Sequence, residues 1–130
     1  MSGSITRRGA LIGAAAITGV SALPLLLAPA NAALSAIGHV VIDDRLAQSA
    51  AFAAGFVGTR IHHVDALNDL CNRWYTQLRR QVLADAQPIA GLTTWMDYVI
   101  MRSCAAEIGY CRSNFEPHAH MVTWVFAPRN

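Results

Sequence analysis

Residues 39–64 constrain the fold more than any other part of the chain. Two β-branched runs, residues 39–43 and 60–64, flank an Ala-rich stretch from Arg45 to Gly55 whose apolar residues recur at helical spacing. So short a strand–helix–strand unit closes only as a compact right-handed βαβ crossover. We therefore expect two parallel strands joined by one helix.

Two further helices are predicted downstream. Apolar residues recur with helical spacing over residues 67–82, so that one face of this segment is expected in the core. Pro88 and Gly91 interrupt the pattern. Thr94, followed three positions later by an acidic residue, resembles a capping box and predicts a third helix over residues 94–108.

The end of the chain is predicted to form a β-hairpin. Residues 110–116 and 120–127 have the composition of strands, and residues 122–126 are apolar on both faces, which is typical of an interior strand. The fold class is therefore α/β. We expect a small two-layer domain with the order β-α-β-α-α-β-β and a mixed four-stranded sheet.

A signal peptide is predicted ahead of this domain. Arg7 and Arg8 precede an apolar stretch over residues 10–27, and small residues at Ala30 and Ala32 form a cleavage site. We expect cleavage after Ala32, with an earlier cut after Ala30 as an alternative, leaving residues 33–130 as one domain. The competing interpretation is a transmembrane anchor, but glycine, proline and hydroxyl residues interrupt the apolar stretch.

The leader resembles a twin-arginine (Tat) signal, in which a hydroxyl residue precedes paired arginines and two apolar positions follow. Thr6, Arg7 and Arg8 match that pattern, whereas Ala10 stands where Phe is common and no Lys follows Leu11, so ordinary Sec export is the alternative. The resemblance implies a bacterial protein that is folded before it meets the Tat export machinery. Its destination would be periplasmic or secreted, with no stable membrane insertion after cleavage.

The mature domain also resembles small Tat-exported proteobacterial proteins. The resemblance lies in the segment Gly91-Leu92-Thr93-Thr94 and in the terminal run from Trp124 to Arg129. It implies no particular activity.

The charge balance argues against nucleic acid as a partner. All ten basic residues are arginines, two of them in the leader, so residues 33–130 carry eight arginines against eight acidic residues. Such a domain lacks the basic surface on which phosphate backbones are held. No Gly-rich loop follows the first strand, which disfavours a dinucleotide or P-loop site.

Acids and histidines collect where the first two predicted strands end. Asp43 and Asp44 follow the first strand, and His62 and His63 lie in the second. Because ligands of parallel α/β units bind beyond the carboxyl ends of strands, these four residues are candidates for an acid–base site. The alternative is that Asp44 caps the first helix, Asp65 caps the second, and the histidines lie on a strand surface.

His118 and His120 form the candidate metal site. On an extended segment two alternate residues point to one side, within reach of one zinc or copper ion. A third ligand would have to come from Cys111, from Glu116 or from the His62 and His63 pair. The alternative is a pair of solvated turn histidines.

Thr93 and Thr94 are candidates for binding a cofactor or other ligand, because a predicted helix N-terminus follows them. The alternative gives Thr94 a capping role.

Cys71, Cys104 and Cys111 are an odd number of cysteines for an oxidising compartment. Cys71 and Cys104 are expected on core faces as buried thiols, with a disulfide between two of the three as the alternative.

Three functions follow from these observations. A Tat-like leader without a cofactor motif favours an accessory or binding subunit of a larger periplasmic enzyme, such as an oxidoreductase. The His118–His120 pair favours a metal-binding protein. The strand-edge group of Asp43, Asp44, His62 and His63 favours a small hydrolase or lyase.

Overall fold

The computed structural model describes residues 36–129. The predicted signal peptide, with Arg7, Arg8 and the cleavage site after Ala32, lies outside this range. The elements run in the order β1 (His39–Asp43), α1 (Ser49–Ala54), β2 (Arg60–Val64), α2 (Leu70–Arg73), a π-helical turn (Trp74–Leu78), α3 (Arg79–Asp85), β3 (Ile89–Thr94), α4 (Trp95–Glu107), β4 (Tyr110–His118) and β5 (Met121–Pro128).

The sheet is mixed, as predicted, but it has five strands in the order β2-β1-β3-β5-β4. β1 pairs in parallel with both β2 and β3, whereas β5 pairs antiparallel with β3 and β4. The parallel pairing of β1 with β2 and the interior position of β5 are both confirmed. The predicted four strands and the order β-α-β-α-α-β-β are wrong, because the strand β3 separates the second predicted helix, which corresponds to α2 through α3, from the third, which corresponds to α4.

The additional strand, β3, lies where Pro88 and Gly91 are typical of a loop. Glycine is needed at position 91 because the backbone there packs closely against the indole ring of Trp124 on the paired strand β5, and a Cβ would overlap that ring. Glycine inside a strand commonly marks such a contact. Every β3 residue from Ile89 to Thr93 is buried, so no alternation of polar and apolar residues is present to reveal the strand.

Helices cover both faces of the sheet, and the predicted two-layer arrangement becomes three layers. α1 packs through Phe52 against Val40 and Ile42 on one face. The helices from α2 to α4 pack on the other face, around Trp74 and Trp124. The connections from β1 to β2 and from β2 to β3 run in opposite directions, and two right-handed crossovers of this kind place their helices on opposite faces.

The first helix is shorter than predicted, the second is shifted by three residues to 70–85, and the caps of both differ. α1 begins at Ser49 after Gln48, whose side chain makes no capping hydrogen bond, so Asp44 does not cap it. Asp69 caps α2 by accepting a hydrogen bond from the Asn72 backbone N–H at 2.8 Å. Asp65 instead accepts hydrogen bonds from two backbone N–H groups in the turn before the helix. This turn leaves Leu67 98% exposed, outside the core.

The third predicted helix and the hairpin are closer to expectation. The Thr94 hydroxyl accepts a hydrogen bond from the Asp97 backbone N–H at 3.2 Å, which confirms the cap that opens α4. The hairpin turn falls at Ala119 and His120 and not at residues 116–119. Pro117 is accommodated in β4 because β4 is an edge strand.

Within residues 36–129, no helix has the length and apolar character needed to cross a bilayer.

Replacing Gly91 by Ala is expected to destabilise the fold by about 1–3 kcal/mol, since the new methyl group overlaps the buried Trp124 ring. Urea unfolding of the variant measures this free energy. In a Trp124→Leu background the same change is expected to cost much less, because the overlapping ring is gone. An equal cost in both backgrounds would contradict the packing explanation.

Candidate acid-base site

Two buried histidines meet on the helix-rich face of the parallel strands. His39 begins β1, and His62 lies in the neighbouring β2, both on the face that carries Val41. His39 Nδ1 lies 3.1 Å from His62 Nε2, and the ring centroids are 5.3 Å apart. The sheet register therefore connects two imidazoles directly by a hydrogen bond.

Asp85, the last residue of α3, completes the chain of hydrogen bonds. Its Oδ2 lies 2.8 Å from His39 Nε2, and its Oδ1 accepts a hydrogen bond from the Gln87 backbone N–H at 3.0 Å. A carboxylate at a helix C-terminus faces the negative end of the helix dipole, which is unfavourable. The contacts to His39 and to the Gln87 backbone N–H compensate for this position.

The partners fix which nitrogens carry hydrogen when both imidazoles are neutral. An ionised Asp85 only accepts, so His39 Nε2 carries a hydrogen and donates it. His39 Nδ1 is then a lone pair, which accepts from His62 Nε2. The lone pair of His62 is left on Nδ1, the ring nitrogen that His39 does not use.

His62 lines a pocket of about 260 Å³ between β2 and the helix that follows it. The walls are formed by Arg60 and Ile61, His62 and His63 from β2, and by Arg73, Gln77 and Gln81 from the helix. Gln77 belongs to the π-helical turn, a distortion that is frequent at functional sites. The polar lining suits a small polar molecule.

The surroundings of His62 favour its neutral form. Burial lowers the pKa of His62 to about 4, and the nearby charges of His39, Arg73, Arg60 and His63 act in the same direction. His62 is therefore uncharged at neutral pH and has a lone pair available to accept a proton.

Asp43, by contrast, is held in an ion pair at the other end of β1. Arg45 donates to it from Nε at 2.9 Å and from Nη2 at 2.7 Å, and the Arg45 backbone N–H donates at 2.9 Å. Burial raises the pKa of Asp43, but these hydrogen bonds outweigh burial and the pKa is lowered. Asp97 Oδ2 lies 3.8 Å from Arg45 Nη2, and burial followed by the charge of Asp43 raises the pKa of Asp97.

Asp44 and His63 lie on the opposite face of the sheet. His63 Nδ1 is 2.8 Å from Asp44 Oδ1, and both side chains are exposed. They line a largely apolar pocket of about 500 Å³ beside α1. Successive residues of a strand point to opposite faces, which separates His63 from His62. Asp43 shares a face with His62 but lies at the other end of β1 from His39. The four predicted residues therefore do not converge: Asp43 pairs with Arg45, Asp44 with His63, and His62 with His39.

The hydroxyls of Thr93 and Thr94 are used inside the fold. Thr93 is buried and accepts a hydrogen bond from Trp124 Nε1 at 2.9 Å, while it donates to the Thr94 carbonyl at 3.0 Å. Thr94 caps α4. The alternative interpretation, in which these residues serve the structure, accounts for both contacts.

The predicted metal ligands lie at the hairpin. His118 Nε2 is 3.3 Å from Thr123 Oγ1, and His120 is exposed in the turn. Among residues 36–129, no three His, Cys, Asp or Glu side chains are placed to share a metal ion. The described part of the chain thus supplies no third ligand from Cys111, Glu116, His62 or His63.

All three cysteines have free thiols, so no disulfide joins them in this structure. Cys104 is buried as expected, and burial raises the pKa of its thiol to about 11, which makes it a poor nucleophile. The predicted core position of Cys71 is wrong: the π-helical turn follows it, and the side chain is exposed.

Sequence reasoning identified His62 but missed His39 and Asp85. A sequence signal did exist for His39, because it and His62 occupy same-face positions of two strands that were predicted to be parallel neighbours. Asp85 lies 46 residues from His39, and its contribution depends on where α3 ends.

Comparison with family models, with curated proteins and with solved structures gives no match to this chain. The chemistry of the site is therefore inferred from its own geometry.

We expect the free energy of unfolding to fall as the pH drops from about 6.5 to about 4. In the unfolded chain His62 takes up a proton near its ordinary pKa of 6.5, whereas the folded pKa is about 4. The unfolded state binds more protons in this window, so acidification costs up to about 3 kcal/mol, and the contribution is complete above pH 6.5. Urea unfolding at several pH values measures the slope.

Substituting His62→Gln is expected to flatten that pH dependence, and the matched substitution His120→Gln in the exposed turn is expected to leave it unchanged. If both variants retain the wild-type slope, His62 is not the group responsible.

Proposed function

We propose that this chain is a small exported enzyme, a hydrolase or a lyase, in which His62 is the general base. The observation that carries the proposal is the chain of hydrogen bonds from Asp85 through His39 to His62, which ends at a polar pocket. An acid that orients one imidazole, which in turn orients the reacting base, is an arrangement suited to moving protons. Export rests on the Tat-like leader.

The proton transfer balances within the three residues. A proton from the substrate, or from a water that attacks it, binds His62 Nδ1. The proton on His62 Nε2 then moves to His39 Nδ1, across the 3.1 Å hydrogen bond. His62 ends neutral, and the positive charge rests on His39, where the Asp85 carboxylate stabilises it. The reverse transfers return the proton to the product.

The reaction class follows from what lines the pocket. The polar groups of its described walls are imidazole, guanidinium and carboxamide groups, and none of the described lining residues is a serine, threonine or cysteine. Covalent catalysis by a hydroxyl or thiol has no nucleophile there, whereas a general base acts directly on water or on a C–H bond. The first gives hydrolysis and the second gives elimination or addition.

A product screen tests this proposal. The protein is incubated with a library of small polar metabolites in D₂O enriched in ¹⁸O, and the products are analysed by mass spectrometry. Hydrolysis introduces ¹⁸O without deuterium at carbon. Elimination is recognised by the loss of a leaving group from the substrate, with deuterium exchanged into the substrate when the proton abstraction reverses, whereas addition of water introduces both ¹⁸O and deuterium. His62→Gln is expected to lower the rate about 10²- to 10⁴-fold, the usual contribution of a general base.

Three further variants sharpen the result. His39→Gln and Asp85→Asn are expected to slow the reaction and to shift its pH profile, because they alter the groups behind the base. His120→Gln, in the hairpin turn, is the control and should retain the full rate. Absence of any hydrolysis, elimination or addition product and of any isotope exchange across the library, or an undiminished rate in His62→Gln, would refute the role of this site.

We propose a second candidate function, the accessory subunit of a larger periplasmic enzyme, on one separate observation. The N-terminal part of α4 exposes three neighbouring apolar side chains: Trp95 is 44%, Met96 70% and Val99 43% exposed. Adjacent exposed apolar residues are typical of a surface that contacts another protein.

Purification of the tagged chain from its native periplasm tests the accessory role. A stoichiometric exported enzyme is expected to co-purify, and the double substitution Met96→Glu, Val99→Glu is expected to release it. Ala51→Glu with Ala54→Glu, which adds the same charge at the same spacing on exposed apolar residues of α1, is the matched control. Recovery of the chain alone would argue against this role.

A further inference from the structure

The pocket beside His62 has an excess of positive charge. Arg60 and Arg73 line it, and no carboxylate is among its described lining residues. Neither arginine forms an ion pair with another residue in the range 36–129. Two guanidinium groups whose charge is not balanced nearby, in one concave polar surface, favour an anionic ligand.

The Arg73 side chain is fixed in place before any ligand binds. Its Nη1 donates to Gln77 Oε1 at 2.6 Å, and its Nη2 donates to the His63 carbonyl at 3.1 Å. These contacts tie the guanidinium to the π-helical turn on one side and to β2 on the other. A side chain held in this way loses little freedom when it binds.

Two polar atoms in the same wall have no hydrogen-bond partner within the described range. Arg73 Nε is a buried donor, and Gln81 Oε1 is a buried acceptor. Trp74 Nε1 and Asp97 Oδ2 also lack a hydrogen-bond partner in that range, away from this pocket. Buried polar groups are nearly always hydrogen-bonded, so the Arg73 Nε donor favours a ligand oxygen or a bound water beside it, and Gln81 Oε1 requires a donor such as water.

We propose that this pocket binds a small molecule bearing an oxyanion, either a carboxylate or a phosphate, held by Arg60 and Arg73. The inference rests on the proposed function in that it names the substrate class of the same site. The guanidinium fork matches the paired oxygens of both groups. A volume of about 260 Å³ accommodates a molecule of metabolite size.

The charge of the ligand also determines when His62 acts as a base. The charges of Arg60 and Arg73 disfavour the protonated form of His62, as do those of His39 and His63. The nearby carboxylates act through these histidines: Asp85 is hydrogen-bonded to His39, and Asp44 to His63. An anion that neutralises the arginines therefore increases the proton affinity of His62. By linkage, the anion binds more tightly to the protonated protein, so affinity rises as the pH falls.

Calorimetric titration with two probes, inorganic phosphate and malonate, tests the proposal. At least one probe is expected to bind saturably at a ratio of one per chain, and the comparison of the two distinguishes a phosphate site from a carboxylate site. Arg73→Gln is expected to weaken binding about tenfold or more, and Arg60→Gln is expected to weaken it less because Arg60 is exposed.

The control is Arg79→Gln, which removes the same charge from an exposed position of α3 outside the pocket. Its affinity should stay within about twofold of the wild type. Arg73→Lys keeps the charge but loses the fork, so an intermediate affinity is expected, and this variant reports on the site even if Arg73→Gln folds poorly. Absence of saturable binding for both probes, or equal weakening by Arg73→Gln and Arg79→Gln, would overturn the proposal.

His62→Gln separates this inference from the proposed catalysis. The variant retains both arginines, so it should still bind the probe anion while it loses isotope incorporation. Anion binding in a protein that catalyses nothing would contradict only the role of His62 as a base. Catalysis that is unaffected by Arg73→Gln would contradict only the anionic substrate.

Discussion

The structure depends on the burial of β1 between two parallel neighbours, with both faces covered by helices. All five of its residues are buried, and two of them, His39 and Asp43, are polar. A buried polar or charged group is tolerated only when its hydrogen bonds are satisfied. The two ends of β1 therefore each require partners: His62 and Asp85 for His39, and Arg45 for Asp43.

The chemistry of these partners differs, and the difference separates structure from function. Arg45 keeps its charge at every physiological pH, so Asp43 stays ionised and its ion pair holds the turn after β1. At the other end the partners are a second imidazole, which can take up and release a proton, and a carboxylate. This end of β1 leads, through His62, to the polar pocket.

The sequence predicts the parts of the fold that arise from local pattern. Residues 39–43 and 60–64, the cap at Thr94 and the buried strand β5 were all predicted because β-branched runs and capping residues act over a few positions. β3 was not predicted, because its Gly91 is required by close packing against Trp124 on another strand, a contact that no local pattern shows. The site was predicted in part, since His62 was named. Residue alternation along β2 separates His62 from His63, which pairs with Asp44. Asp85 lies at the end of a helix, 46 residues after His39 in the sequence, so no local pattern connects the two.

The positive pocket resolves an apparent conflict in the proposed chemistry. In the free protein His62 is buried beside arginines, and its pKa of about 4 makes it a weak base. Weak basicity is a disadvantage only while the pocket lacks a compensating negative charge. An anionic substrate supplies that charge and raises the proton affinity of His62 at the moment when a base is needed. Transfer of the proton to His39 then places the positive charge beside the Asp85 carboxylate. Binding and basicity are thus two consequences of one electrostatic arrangement.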